Sequence, residues 1–496
     1  MQGKVLLIRP QNIYHYNNYP PLGLIALATQ LKVNGYEVKI INCALEKNPL
    51  DATKRELDNV LFVGISILTA EVMDAFRIVE YIRKHSDIPI LVGGVHCTLF
   101  PEQMANCSYI DYVVVGEGEE HILHIAKMIK NKQRQKNKIF QKQILDMERL
   151  PLSEYSLDNN IKQFIGSYLT DKLEEIVKRP MRWLPYESSR GCPSQCTFCI
   201  NTVVNNTCYR KKSAQKVLTE IEGVIKQYSL SHLKFIDDNF FVDINRVRTI
   251  CEGIIEKRLS VTWDAECRCD YFNDRMLNDE VLKLLKLSGL VQLTLGVESG
   301  SAHTLGLMKK GITSEQAEYA INKCSKHGII ARSSFILEIP GENIDDIKQT
   351  VHFVNRLRKY PFFTCGVGTF RPYPRCELTR QLTEKRLLTQ PLDFRGWANR
   401  DIIDMYTSAE YIRPWQVNGR YSESVAYYLN MESAVRLGNH QIKTTIDKIK
   451  NNIFVFLARL RNRLLFYNFP FEKKLYKRFL VNFYKKRQES EKTQEQ

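Results

Sequence analysis

Over the first 130 residues, short unbroken apolar runs alternate with stretches whose apolar positions recur at helical spacing. Residues 5–8, 38–41, 61–65, 88–92 and 112–115 read as strands, and residues 22–34 and 71–84 as helices. A strand covered on both faces is apolar throughout, whereas a half-exposed one alternates, so these runs predict a buried parallel sheet with helices on either side. The expected class is α/β, beginning with a flavodoxin-like (Rossmann-type) doubly wound parallel sheet. In such a sheet a ligand lies across the carboxyl ends of the strands. Those ends carry Arg9-Pro10, Ser66 to Thr69, Gly93-Gly94-Val95-His96-Cys97-Thr98 and Gly116-Glu117-Gly118-Glu119. Glycines just past a strand let backbone N–H groups approach a ligand, because no Cβ stands between them.

The pattern breaks between residues 131 and 180, where a polar, basic stretch at 130–138 reads as a solvated connector. Strands return at 183–189, 233–236, 261–265, 291–296, 329–337 and 364–370, with helices at 213–228, 244–258, 276–287, 313–327 and 344–357 between them. About six β/α units make a partial (β/α)6 TIM-type barrel, short of the full eight. Beyond residue 400 the strands stop, and residues 411–415 with the pair Tyr427-Tyr428 read as a helical cap over the barrel mouth. The expected domains are therefore 1–130, a linker at 131–180, a barrel at 181–400 and a mainly helical region at 401–496.

Length agrees, since 496 residues suit roughly two to four domains. Charge adds something the pattern does not. The formal net charge is +16, and residues 441–496 hold fourteen Lys/Arg against five Asp/Glu, so over half the excess sits in the last ninth of the chain. There Ile446, Ile449, Ile453, Phe456, Leu457, Leu460 and Leu464 fall on one helical stripe, with Lys448, Arg459 and Arg463 mostly on the other side. Such a basic amphipathic helix lies on an anionic membrane or packs on its own protein, and the expectation includes peripheral membrane contact through 441–487. Nucleic acid is the weaker partner, because no RNA-binding module is recognisable. The apolar run at 5–8 is stopped by Arg9-Pro10, too short for a signal peptide, and no uncharged run has bilayer-spanning length, so a cytoplasmic protein is expected. Thirteen cysteines in that compartment argue for metal or redox chemistry at a few of them.

The few are found in Ser188-Ser189-Arg190-Gly191-Cys192-Pro193-Ser194-Gln195-Cys196-Thr197-Phe198-Cys199. Its C-x3-C-x2-C spacing lets one loop turn Cys192, Cys196 and Cys199 toward one point, which suits an iron–sulfur cluster held by soft thiolates. Four thiolates would saturate a four-iron cube; three leave one iron open. Functional groups sit at the later strand ends too: Asp237 and Asp238 after the second, Glu266-Cys267-Arg268 after the third, Glu298-Ser299-Gly300 after the fourth and Pro340-Gly341-Glu342 after the fifth. Cys267 and Cys269 share a strand face opposite Arg268 and read as structural.

Two resemblances rest on these residues. Pro20-Pro21-Leu22-Gly23-Leu24, Gly64-Ile65-Ser66, Gly93-Gly94-x-His96-x-Thr98 and Gly116-Glu117-Gly118-Glu119 resemble the cobalamin-binding domain found ahead of a radical SAM domain, and residues 181 to about 375 resemble the radical SAM superfamily itself. The resemblance implies that Cys192, Cys196 and Cys199 hold a [4Fe-4S] cluster whose open iron binds S-adenosylmethionine. It implies Phe198 beside the adenine, Asp237 and Asp238 or neighbouring carbonyls on the ammonium, Arg268 as a fork to the carboxylate, and Glu298 with Ser299 at the ribose. For cobalamin it implies contacts from Leu22, Gly23, Ser66, Thr69, Gly93, Gly94, His96, Thr98, Gly116 and Glu117. The D-x-H-x-x-G motif that supplies a lower cobalt ligand elsewhere is absent. His96 either meets the corrin amides, lies near the cobalt, or is a turn residue.

The activity so implied is reductive cleavage of S-adenosylmethionine to a 5′-deoxyadenosyl radical, followed by methyl transfer from methylcobalamin to an unactivated carbon of a small molecule or lipid. An electron donor such as flavodoxin or ferredoxin is the implied partner. The alternatives are a cobalamin-dependent cyclase or oxidative rearrangement, a tRNA methylthiotransferase, and a non-enzymatic cobalamin sensor or carrier. The methylthiotransferase needs three further cluster cysteines in the first domain, yet Arg9-Pro10-Gln11-Asn12 holds none.

Overall fold

The computed structural model describes residues 3–14, 19–133, 137–141, 145–165, 181–408, 411–416, 419–436, 445–473 and 475. Part of the linker and residues 476–487 of the basic C-terminal region lie outside the described residues.

The first sheet contains β1 (Lys4–Arg9), β2 (Glu37–Asn42), β3 (Val60–Ser66), β4 (Ile90–Gly93), β5 (Tyr112–Val115) and β6 (Ile139–Gln141) in the order β2-β1-β3-β4-β5-β6, every pair parallel. Val5, Leu6, Leu7 and Ile8 are all fully buried, because helices cover both faces, as the unbroken apolar run requires. The chain reverses its direction of winding between β1 and β3, so the crevice at their carboxyl ends opens there. One element departs from expectation. β6 is three residues long and pairs with β5 from inside the stretch read as linker. Three residues after a polar run carry too little periodicity to be seen.

After the linker come β7 (Trp183–Tyr186), a two-residue strand β8 (Ser189–Arg190) paired antiparallel with β9 (Arg210–Lys211), and then β10 (His232–Phe235), β11 (Thr262–Cys267), β12 (Leu290–Glu298), β13 (Ile330–Leu337) and β14 (Phe363–Thr369). The second sheet is parallel in the order β14-β13-β12-β11-β10-β7, which is a partial barrel with β7 and β14 at its edges. Leu233, Phe235, Ala265, Leu293 and Leu295 point to the covering helices and are buried. The opposite face carries charge: His232 Nε2 and Lys234 Nζ lie 2.8 and 2.9 Å from the Asp264 carboxylate, all three buried.

An edge strand leaves unpaired backbone groups, and the C-terminal helix Gly419–Arg436 covers those of β14. The Asn430 side chain accepts from Val367 N–H at 2.8 Å and donates to Val367 C=O at 2.7 Å, imitating a neighbouring strand. The segment before it joins the two halves. Phe394, Trp397, Ile403 and Tyr406 belong to the apolar core of the first domain, Trp397 donates to Gln103, and Arg375 donates to Leu99 C=O at 2.8 Å.

The turn after β13 contains a titratable carboxyl. Glu342 accepts from Glu338 N–H and from Thr304 Oγ1, and burial pushes its pKa up to about 7, with Asp346 and Glu338 adding to the shift. A carboxyl raised in the folded state contributes stability below its unfolded value near 4.5 and loses it as pH rises through 7. Glu342→Gln is therefore expected to flatten the fall in Tm between about pH 5 and pH 8, removing a pH-dependent loss of up to ~3 kcal/mol. Thermal melts across that range are the measurement.

Candidate functional site

The loop from Gly191 to Tyr209 is closed at its base by the β8–β9 ladder, Ser189 facing Lys211 and Arg190 facing Arg210. Asp237, at the end of β10, holds the entry to this loop: it is fully buried and accepts from Ser188 N–H at 2.8 Å and from the hydroxyls of Ser188 and Ser189. Its neighbour Asp238 accepts from Gly191 N–H at 2.8 Å. On the other flank Thr197 donates its N–H to Met308 C=O at 3.0 Å and its hydroxyl to Leu307 C=O at 2.9 Å. Four anchors thus fix a loop that has almost no regular structure.

Within it, burial pushes the Cys199 thiol up to about 11, with Cys196, Asp238 and Cys192 adding to the shift. Around them, Asn239 Nδ2 lies 3.5 Å from Cys192 Sγ and donates to Tyr271 OH at 2.8 Å. Lys310 is buried, pairs with Glu298 Oε1 at 2.8 Å and stands 6.0 Å from the centre of the Phe198 ring. Among the described residues no three His, Cys, Asp or Glu side chains converge on a single ion. A four-iron cube needs none to, since each cysteine binds a different iron and the sulfurs stay apart. The donor set of three soft thiols beside the cationic Lys310 and Arg268 fits such an anionic cluster.

The strand-end residues divide. Arg268 forks to Asp270 through Nε and NH2, at 2.9 and 3.2 Å, and NH2 also donates to Lys310 C=O; NH1 has no partner among the described residues. Glu298 sits at φ +68° with Oε1 on Lys310 and Oε2 3.4 Å from Ser334 Oγ. Ser299 is fully buried, and its hydroxyl is turned to Thr350 Oγ1 and Ser301 N–H, away from any ribose in the open site. Asp237 is likewise spent on Ser188 and Ser189. Both are corrected from ligand contacts to supports of the loops that carry the contacts.

Next to the loop lies a cavity of about 830 Å3, within the range of about 300–1,000 Å3 usual for ligand sites. One wall is the carboxyl edge of the first sheet: Gly23, Gly64, Ser66, Gly93, Gly94, Thr98, Gly116, Glu117 and Gly118. The other wall is the cluster loop and its surroundings, with Arg190, Asn205, Asn206, Cys208, Arg210 and Asp238. Thr98 fixes the rim by accepting from Gly116 N–H at 2.9 Å and donating to Gly94 C=O at 3.0 Å. Gly94 at φ +91° has no room for a Cβ, which would lie 2.9 Å from Ile67 N, whereas a Cβ on Gly23 meets nothing within 4 Å. The first glycine shapes the turn, and the second keeps the cavity open.

Three expected cobalamin contacts are absent from the lining. Leu22 packs on the core beside Gly23. Thr69 Oγ1 lies 3.3 Å from His96 Nδ1, and His96 is fully buried between the rings of Phe100 and Trp397, 5.2 and 5.1 Å away. Burial pushes the His96 pKa down to about 3, so it stays neutral. Helix Val95–Leu99 turns this residue away from the cavity into the junction with the segment 376–407, which is why its motif position misled. Among the described residues no histidine lines the cavity.

What the sequence reading missed is the bridge between the two walls of the cavity. Arg190 pairs with Glu117 at 2.9 Å, Glu119 at 2.7 Å and Glu187 at 2.8 Å, and Arg210 pairs with Glu117 at 3.0 Å. Burial works against the Glu117 charge, but the two guanidiniums outweigh it and hold the carboxyl below its usual range. Arg190 stood in plain view beside Gly191; its partners Glu117 and Glu119, more than seventy residues away, were hidden.

Residues 12–126 match the B12 binding domain and residues 186–354 the radical SAM superfamily. Both domains are present in this chain. The radical SAM match spans the cluster loop through β13, and the B12-binding match spans the glycine wall of the cavity. Among curated proteins, an uncharacterized methyltransferase of Pyrococcus horikoshii is 26% identical over 440 residues, 84% of this chain and 89% of that one. The anaerobic magnesium-protoporphyrin IX monomethyl ester cyclase of Rubrivivax gelatinosus is 24% identical over 416 residues, 77% and 70% of the two chains. Among solved structures, the cobalamin-dependent S-adenosylmethionine radical enzyme OxsB with aqua-cobalamin bound superposes with a TM-score of 0.72 at 19% identity, covering 93% of this chain and 72% of that one. The radical S-adenosylmethionine methyltransferase TsrM of Kitasatospora setae gives 0.63 at 16% identity, covering 89% and 90%. The radical SAM domain brings a [4Fe-4S] cluster and S-adenosylmethionine, and the B12-binding domain brings cobalamin.

The glycine wall yields a prediction. Gly23→Phe should fill the cavity from an unstrained helical position, leave Tm unchanged or slightly raised because glycine is a poor helix former, and weaken cobalamin binding about tenfold or more. Absorbance titration with hydroxocobalamin reads the affinity.

Proposed function

We propose that this protein is a cobalamin-dependent radical SAM methyltransferase that methylates an unactivated carbon of a small molecule or lipid. One observation carries the reading: a single cavity has the glycine edge of the B12-binding sheet as one wall and Val203, Val204, Asn205, Asn206 and Cys208, at the far end of the loop that carries Cys192, Cys196 and Cys199, as the other. When bound, the two cofactors supply radical generation and a transferable methyl group, while the protein orients them and keeps water away.

The roles of the residues follow from their free valences. Cys192, Cys196 and Cys199 would ligate the cluster. Phe198 would pack beside the adenine, and NH1 of Arg268 would meet the carboxylate of S-adenosylmethionine. Glu298 Oε2, held only by a long contact to Ser334, would accept from the ribose hydroxyls, and Asp238 would accept from the ammonium. Gly23, Ser66, Gly93, Gly94, Thr98, Gly116 and Glu117 would surround the corrin. An electron donor such as flavodoxin or ferredoxin would reduce the cluster.

Similarity to the Rubrivivax gelatinosus cyclase keeps ring closure without methyl transfer as the second reading. Anaerobic reconstitution decides between them. About four irons and one cobalt per chain are expected, with 5′-deoxyadenosine formed from S-adenosylmethionine and reductant. Label from methyl-labelled S-adenosylmethionine appearing in the product supports methyl transfer; an unlabelled, oxidised product supports the cyclase. Cobalt-free protein with additional iron would sink both.

A further inference from the structure

The helix Thr445–Leu464 is packed inside out. Toward the protein it turns Asn451, Val455, Ala458 and Asn462, all buried; toward solvent it turns Ile449, Ile453, Phe456, Leu460 and Leu464, with Phe456 63% and Leu464 66% exposed. The buried polar residues have partners there: Asn462 donates to Glu432 Oε2 at 3.1 Å and accepts from Tyr467 OH at 2.9 Å, and its C=O accepts from Asn355. The apolar stripe seen in the sequence is therefore real, and it is not used for the core. The side chain of Ile446 lies outside the described ones.

The turn beyond the helix extends the patch. Phe466, Phe469 and Phe471 are exposed, Phe469 at 84%. They do not hang loose. Arg461 is buried, pairs with Glu472 and donates to Phe466 C=O, Asn468 C=O and Phe469 C=O, each at 3.0 Å. A buried ion pair fastens the turn that presents three aromatic rings to solvent. Lys450, Arg459 and Arg463 stand exposed around the stripe.

We infer that this face docks on an anionic lipid bilayer surface, with the helix lying in the headgroup plane, its apolar side down and its cations on the phosphates. Charge selects this occupant. A second copy would bring Lys450, Arg459 and Arg463 against their own kind, whereas anionic headgroups pair with all three. No helix among the described residues is long and apolar enough to cross a membrane, which matches a face that lies on one.

The test is flotation of the purified full chain with vesicles of phosphatidylcholine, with and without phosphatidylglycerol. The chain should float with the phosphatidylglycerol vesicles and be released by salt. The triple variant Ile453→Ser, Phe456→Ser, Phe469→Ser, altered only at exposed positions, should lose about tenfold or more in partitioning while its Tm and 5′-deoxyadenosine formation stay unchanged. Wild-type chain that stays in the soluble fraction, or a triple variant that floats as well as wild type, overturns the inference. So does a wild-type dimer in sedimentation that the triple variant converts to monomer, because the face then belongs to a second copy. Flotation needs no cofactor, so its outcome is independent of the proposed activity.

Discussion

Gly191→Ala should yield a folded barrel that fails to hold the iron–sulfur cluster. Gly191 lies at φ +80°, and a Cβ there would stand 2.0 Å from Cys208 C=O, a backbone atom that cannot swing aside. The left-handed conformation alone costs about 1–2 kcal/mol for an alanine, and the collision adds several more, a total beyond the usual range for one substitution. The strain falls on the residue next to Cys192, at the base of the loop fixed by Asp237 and Asp238. The loop will open sooner than the sheet beneath it unfolds. Iron per chain after reconstitution should drop close to zero, and 5′-deoxyadenosine formation by about a thousandfold or more, while far-ultraviolet circular dichroism remains that of the wild type. A variant that keeps its iron would mean that the loop tolerates rearrangement and that the geometry at Cys208 is not what orients Cys192.

Removal of Arg190 should have the next largest effect. In Arg190→Gln, Glu119 and Glu187 lose their cation and Glu117 keeps only Arg210, so carboxylates face one another across a half-buried junction. Deleting one partner of a buried ion pair typically costs about 3–5 kcal/mol, because the remaining charge stays desolvated. Arg190 is flanked by Ser189, which is anchored on Asp237, and by Gly191, so the cluster itself should still assemble. What should suffer is the fixed relation between the two walls of the cavity. Cobalamin affinity is expected to fall more than tenfold, and the ratio of 5′-deoxyadenosine to product to rise as cleavage becomes uncoupled from transfer. Arg190→Lys, which keeps one charge but not the fork, should restore part of the affinity and little of the coupling. Unchanged affinity and an unchanged ratio would reduce Arg190 to a surface ion pair.

The division between what was legible and what was not runs through single pairs of neighbours. Asp237 and Asp238 are adjacent at the same strand end and looked equivalent, yet one is buried under Ser188 and Ser189 and the other borders the cavity. Gly23 and Leu22 were read together, and only Gly23 lines the cavity. His96 and Thr98 sit two apart in one motif; Thr98 ties the glycine rim, while His96 is enclosed by Phe100 and by Trp397, a residue three hundred positions later. In each case the alternation was readable, but which neighbour faces a ligand depends on what packs from elsewhere.

By itself the sequence determined the elements that depend on near neighbours. Unbroken apolar runs give buried parallel strands, and C-x3-C-x2-C puts three thiols on one loop because the spacing is that short. The apolar stripe at 449–464 belongs with these, since helical spacing makes it whatever the helix packs against. The tertiary structure decided everything that joins distant segments: the carboxylates that meet Arg190, the wall opposite the glycines, and the outward turn of the stripe. The physical reason is that burial and pairing are settled by the sum of contacts across the fold. A charged or apolar side chain carries no local mark of which side will face the core.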